Sequence, residues 1–201
     1  HRTKIMEGIR IQLEEEGYKG YIIPEGASNA IGSLGYVNAM DEILKQEKEL
    51  GIKFDSIVVT VGSGGTYAGL YYGNYIRDNP AKIYGFNICD SREHFQEIVG
   101  DLLGDIATYT GKEIPVDKKT IDIIDGYPGL GYALSQTEEI QFIHFFAKLE
   151  GIILDPVYTG KAMYGLVNEI KRGSFDKHEN ILFIHTGGLF GWNSDQRGLL
   201  K

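Results

Sequence analysis

Hydrophobic and polar positions along this chain fall into blocks of two kinds, and the two kinds take turns. Residues 3–16 carry Ile5, Ile9 and Leu13 at every fourth position with Glu14, Glu15 and Glu16 left polar, a spacing that predicts an amphipathic helix. Gly17 ends it, and Tyr21-Ile-Ile-Pro24 predicts a short strand. Residues 26–32 are rich in turn formers. Ser33 is then expected to cap a helix whose apolar side holds Leu34, Val37, Ile43 and Leu44, ending near Gly51. Ser56-Ile-Val-Val-Thr-Val61 is a β-branched run with no polar face, as a strand buried on both sides requires. A helix over 67–77 and a second apolar strand over 82–88 follow. Beyond them come a Ser91-capped helix to 103, a polar irregular stretch over 108–117 and a strand over 120–124. A Thr137-capped helix to 149, a helix over 161–171 and a strand over 180–185 complete the pattern. Strands alternating with helices imply an α/β fold, a mostly parallel sheet with helices on both faces.

The central strand runs into Gly62-Ser-Gly-Gly-Thr-Tyr-Ala-Gly69. Strand, glycine turn and helix start together aim free backbone N–H groups and the positive end of a helix dipole at one anion. Gly62, Gly64 and Gly65 permit close backbone approach, and Ser63 and Thr66 add hydroxyl donors. This is not the nucleotide-binding P-loop, because no Lys-Ser/Thr pair follows the glycines. The dinucleotide pattern fails too, since its third glycine position holds Tyr67, although Asp90 stands where a ribose-binding acid belongs. A phosphate cradle and a glycine connection that merely lets strand and helix pack closely both fit the pattern.

Composition narrows the class. A formal net charge of −8 argues against nucleic acid or an anionic membrane as partner, and no apolar run has the length of a membrane span. One cysteine, Cys89, rules out an internal disulfide framework and suits a reducing cytoplasm; its place at a strand end points to packing. His1, His94, His144, His178 and His185 show no metal-ligand spacing, so no metal is expected.

In parallel sheets ligands collect beyond the carboxyl ends of the strands, and polar or glycine-rich turns cluster there at 62–66, 125–132, 158–160 and 185–188. His185 lies in position to line such a site or to make a structural hydrogen bond. Tyr132 and Tyr158 each stand at the mouth of a glycine turn. A phenol there can donate to a substrate carboxylate, or exchange a proton if its pKa is lowered; a ring capping the sheet is the plainer alternative.

Gly62-Ser-Gly-Gly-Thr66, Leu149-Glu-Gly-Ile-Ile-Leu-Asp-Pro-Val-Tyr-Thr-Gly-Lys161 and Leu182-Phe-Ile-His-Thr-Gly-Gly188, in that order, resemble the D-cysteine desulfhydrase and 1-aminocyclopropane-1-carboxylate deaminase family of pyridoxal-phosphate enzymes. Ile23-Pro-Glu-Gly-Ala-Ser-Asn-Ala-Ile-Gly-Ser-Leu-Gly-Tyr36 is also similar, so the likeness runs from Tyr21 to Gly188. The resemblance implies the tryptophan-synthase-β-like fold (fold type II) and pyridoxal 5'-phosphate as cofactor. Gly62, Ser63, Gly64, Gly65 and Thr66 would hold its phosphate, Thr186 would approach its pyridine nitrogen, and Tyr132 and Tyr158 would flank a small amino-acid substrate. Deaminases of the family carry glutamate after this tyrosine and leucine in place of the second threonine. Thr159 and Thr186 here are similar to the desulfhydrase branch, with Thr159 as a tuning residue of the site.

That branch implies elimination of sulfide from D-cysteine in a cytoplasmic homodimer, with the deaminase as the alternative. Another fold type II enzyme, such as a serine or threonine dehydratase, and a non-catalytic remnant stay open. No lysine here matches the family's Schiff-base lysine, and Lys148 and Lys161 read as surface residues. Residues 1–201 are therefore expected to be the C-terminal portion, mainly the large cofactor-binding domain. A small domain and roughly a hundred residues would lie upstream.

Overall fold

The computed structural model describes residues 2–199. Its helices are α1 (Arg2–Glu15), α2 (Ala30–Leu50), α3 (Gly65–Tyr75), α4 (Arg92–Thr110), α5 (Thr137–Glu150), α6 (Thr159–Lys171) and α7 (Ser194–Gly198). Its strands are β1 (Ser56–Val61), β2 (Lys82–Asn87), β3 (Ile123–Ile124) and β4 (Ile181–Phe183), in the order β3-β2-β1-β4 and all parallel. The expected α/β class, with a parallel sheet and helices, is therefore what the chain forms.

β1 is the axis of the sheet. It pairs with β2 from Ser56 opposite Lys82 to Val61 opposite Asn87, and with β4 from Ser56 opposite Ile181 to Val58 opposite Phe183. Every one of its residues is buried, the physical reason its sequence shows no alternation. Ile57, Val59 and Val61 enter the larger core with α2, α3 and α4, while Val58 joins Phe86, Ala162 and Leu166 under α6. Burying each such aliphatic side chain contributes roughly 1.5–3 kcal/mol.

α2 and α3 lie against each other through two glycines one helical turn apart. A Cβ on Gly69 would come within 2.4 Å of Ser33 O, and one on Gly73 within 2.8 Å of Val37 O. That close approach fixes where α3, and so the turn at its N-terminus, sits relative to α2.

The structure differs from the sequence reading in several places, each for a local reason. Residues 21–24 join no sheet among the described residues; Tyr21 and Ile23 stand exposed, with no neighbouring strand to pair with. The cap of α2 is Asn29, whose Oδ1 accepts the Gly32 N–H at 2.8 Å, and Ser33 is buried one turn inside the helix. α3 starts at Gly65, earlier than its apolar residues indicate, because left-handed Gly64 delivers the chain straight into the helix. Ser91 does cap α4, accepting the His94 N–H, but the helix continues to Thr110. β3 is shortened because Lys118–Thr120 forms a tight 3-10 turn under an Asp117 cap. At α5 the cap is Gln136, one residue before Thr137, and Glu139 accepts its N–H at 2.9 Å.

Candidate functional site

The turn between β1 and α3 leaves its donors free. Among the described residues no acceptor meets the backbone N–H of Gly62, Ser63, Gly64, Gly65, Thr66 or Tyr67. They are the last amides of a central strand and the first of a helix, so neither ladder can use them. Gly64 has φ +88, a conformation that costs a side chain strain, and a Cβ on Gly65 would lie 2.8 Å from Ser28 Oγ. The Ser28 hydroxyl donates to Ser63 Oγ at 2.6 Å, which leaves the Ser63 proton available to another acceptor.

These donors open on a cavity of about 680 Å³ lined by Gly62, Ser63, Thr66, Tyr132, Tyr158 and Thr186. Gly187, Gly188, Thr60, Cys89 and Tyr36 complete the wall, with the exposed ion pair of Arg2 and Glu25 at its edge. Arg2 is neutralised by Glu25, so an anion here would be held mainly by amides, hydroxyls and the helix dipole. That donor set fits a phosphate ester, and the size fits a small aromatic molecule attached to it.

The Tyr132–Tyr158 part of the lining comes from other segments and abuts the amide turn, since a Cβ on Gly62 would lie 3.3 Å from Tyr158 Cε1. The phenols of Tyr132 and Tyr158 share a hydrogen bond, with their rings edge to face at 6.0 Å. Burial, and then the bond to Tyr132, hold the Tyr158 phenol well above the usual tyrosine range. Behind Tyr158 lies Asp155, fully buried. Its carboxylate accepts the N–H of Val157 (2.8 Å), Tyr158 (2.7 Å) and Thr159 (2.8 Å) and the Thr159 hydroxyl (2.6 Å). Asp155 thus caps the first turn of α6 and fixes the backbone from which Tyr158 projects. Gly188 packs on the same carboxylate, where a Cβ would lie 2.6 Å from Asp155 Cγ.

The structure brings Gly62, Ser63, Thr66, Tyr132, Tyr158 and Thr186 to one cavity, with Gly64 and Gly65 shaping the turn beneath it. It does not bring Thr159 there. That residue is fully buried, its hydroxyl donating to Asp155 Oδ2 and accepting the Asp155 N–H at 3.0 Å, so the tuning role expected of it has no contact to act through.

Lys161 is likewise no surface residue but wholly buried, whereas Lys148 is exposed. His185 is absent from the lining. Its Nδ1 accepts the Gly187 N–H, so its Nε2 carries the proton and donates to Ile153 O at 3.0 Å. Asp90 is outside the cavity as well, which removes the contact a dinucleotide reading needs. A lowered phenol pKa is overturned for Tyr158 by its burial. His1 lies outside the described residues.

Arg2, Glu25, Tyr36, Thr60 and Cys89 line the cavity without having been singled out for it. Only Cys89 carried a signal, its place at the end of β2; it packs on the core and lines the cavity as well. Thr60 comes from β1 just before the turn, while Arg2, Glu25 and Tyr36 arrive from the N-terminal part of the chain, and no spacing marks any of them as lining. No described helix is long and apolar enough to cross a membrane, and no group of metal-ligating side chains forms among the described residues.

Comparison with known proteins gives a consistent picture. The family model described as pyridoxal-phosphate dependent enzyme matches residues 2–187. The bifunctional D-cysteine desulfhydrase/1-aminocyclopropane-1-carboxylate deaminase, mitochondrial, of Arabidopsis thaliana is 42% identical over 190 residues, covering 93% of this chain and 46% of that protein. D-cysteine desulfhydrase of Yersinia pestis is 40% identical over 177 residues, covering 88% of this chain and 53% of its own length. The crystal structure of an ACC deaminase homologue superposes with a TM-score of 0.88 at 41% identity, covering 98% of this chain and 58% of that one. The chain spans about half the length of the curated relatives it matches.

Proposed function

The chain belongs to the pyridoxal-phosphate dependent enzymes, and from that premise we propose that it holds cofactor and substrate in an enzyme converting D-cysteine and water to pyruvate, ammonia and hydrogen sulfide. The observation that carries this reading is the set of unpaired amides from Gly62 to Thr66 opening on the same cavity as Thr186, Tyr132 and Tyr158. In this reading Gly62, Ser63, Gly64, Gly65 and Thr66 donate to the cofactor's phosphate, at roughly 1.5–3 kcal/mol for each hydrogen bond to a charged acceptor. The Thr186 hydroxyl lines the cavity, free of any partner among the described residues, and would be the neutral group offered to the cofactor's pyridine nitrogen. Pyridoxal phosphate, when bound, supplies an electron sink for the pair released as a substrate's Cα–H bond breaks.

Tyr132 and Tyr158 form the substrate-facing side. With its pKa raised, Tyr158 stays a phenol at neutral pH and donates a hydrogen bond to a substrate carboxylate; it does not act as the base. Thr159 supports the backbone through Asp155 and touches no substrate. The described residues that line the cavity include no lysine.

Opening of 1-aminocyclopropane-1-carboxylate is the second reading, favoured by the bifunctional name of the Arabidopsis relative. Thr186 favours the desulfhydrase, because a hydroxyl there suffices for loss of a thiolate. The working form is proposed to be a homodimer in a reducing cytoplasm. Exposed Phe145, Leu149, Ile153 and Phe190 offer apolar surface for a second copy.

The test is an assay of the protein with pyridoxal phosphate supplied. Sulfide should leave D-cysteine faster than 2-oxobutanoate forms from the cyclopropane substrate. The reverse ranking assigns the deaminase, and no product from either, with no bound cofactor, assigns a non-catalytic role.

A further inference from the structure

Lys161 is fully buried, on the first turn of α6 and three residues after Tyr158. Lysine is almost never wholly buried without partners. Its Nζ donates to Pro128 O (2.5 Å), Gly131 O (2.6 Å) and Leu134 O (3.0 Å), three carbonyls of one loop. A neutral amine has only two N–H donors, so three simultaneous acceptors describe an ammonium.

The loop it grips is locally costly. Gly129, Gly131 and Ala133 all have positive φ, and Ala133 carries a side chain in that strained region. The gripped carbonyls are also the loop's own internal acceptors: Pro128 O takes the Gly131 N–H, Gly131 O the Leu134 N–H and Leu134 O the Leu130 N–H. Carbonyl dipoles converging on one point repel each other unless a positive charge sits among them.

Tyr132 lies inside this loop, between Gly131 and Ala133, and its hydroxyl meets Tyr158. The entry into α6 therefore carries both Tyr158, its N-cap residue, and the grip on the segment that presents Tyr132. Burial lowers the Lys161 pKa, and the Glu139 carboxylate on α5 and Cys89 oppose that shift. Glu139 also packs on the loop at Gly129, where a Cβ would lie 2.7 Å from its Oε2.

We propose that Lys161 is a positioning residue, a built-in cation that sets the loop over 128–134 and so holds Tyr132 opposite Tyr158. This rests on the reading of Tyr132 and Tyr158 as the substrate-facing pair. Lys161→Met keeps length and apolar stem while removing the charge. Hydrogen exchange over 126–134 should then rise at least about tenfold, with 56–61 and 82–87 unchanged. With pyridoxal phosphate supplied, KM for D-cysteine should rise about tenfold while affinity for pyridoxal phosphate, whose phosphate the proposed reading gives to the amides of 62–66, changes less than about twofold.

In Lys161→Ala, added n-propylammonium should restore protection of 126–134, and tetramethylammonium should not. The unaltered chain gives a readout that needs no variant: one lysine ammonium visible by proton–nitrogen NMR, slow to exchange with water. Unchanged exchange over 126–134 in Lys161→Met would overturn the proposal. Equal loss of substrate and cofactor affinity would do so too, as would the lack of a slowly exchanging ammonium. If no form releases sulfide, the functional reading fails, while the exchange and ammonium measurements still decide the role of Lys161.

Discussion

The two walls of the cavity are made in opposite ways. The wall at 62–67 is contiguous backbone: a strand ends, glycines turn, a helix begins, and the donors are left over because neither ladder can use them. The wall carrying Tyr132 and Tyr158 is side chain, and two buried charged groups hold the segments that present it. It depends on a buried carboxylate, Asp155, fixing one phenol and a buried ammonium, Lys161, fixing the loop of the other. The first wall should tolerate most side-chain changes that spare its glycines, whereas the second should fail through residues that touch no ligand. In the proposed reading, anion affinity and substrate geometry would be built by separable parts of the chain.

Asp155→Asn should break this comparison hardest. It removes the charge that several buried donors share, and urea unfolding should show a loss of roughly 3 kcal/mol. Tyr158 loses its place, while the amide turn is kept. Thr159→Glu comes next. It sets a second carboxylate against Asp155 and should cost about 2 kcal/mol in the same assay, without raising cyclopropane opening relative to sulfide release. A gain in the cyclopropane reaction would restore the tuning role that burial denies to Thr159.

Gly64→Ala strikes the other wall. At φ +88, with its Cβ 3.0 Å from Ile98, it should cost about 1–2 kcal/mol and weaken binding of phosphate esters, leaving the phenol pair intact. The smallest effect is at Cys89, whose thiol is pushed up by burial and by Asp90. Since burial disfavours the thiolate, its alkylation rate should climb with pH through a midpoint above that of a free thiol. A phosphate dianion in the cavity, adding negative charge, should move the midpoint higher still.

The same contrast explains what could be read beforehand. The sheet and the amide turn were legible because their signal is local: an apolar β-branched run, then glycines, then helical spacing. The roles of Asp155 and Lys161 were not, because a charged residue in Leu-Asp-Pro-Val-Tyr-Thr-Gly-Lys looks solvated until the turn into α6 wraps its own amides around Asp155 and the carbonyls of a distant loop are seen to surround Lys161. Thr159 misled for a related reason. Its neighbour Tyr158 faces the cavity, but entry into α6 turns the next side chain back toward Asp155. The short strand expected over 21–24 failed because apolar residues alone cannot make a strand where no partner runs alongside.

The central claim is that backbone amides, not cationic side chains, hold the anion. Proton–nitrogen NMR of the chain during titration with pyridoxal phosphate tests it most directly. The account predicts that the largest shifts fall on the amides of Gly62 through Tyr67, saturating together with a smaller shift at Thr186. Saturable binding that leaves those amides in place, or moves the Arg2 side chain in their stead, would contradict it.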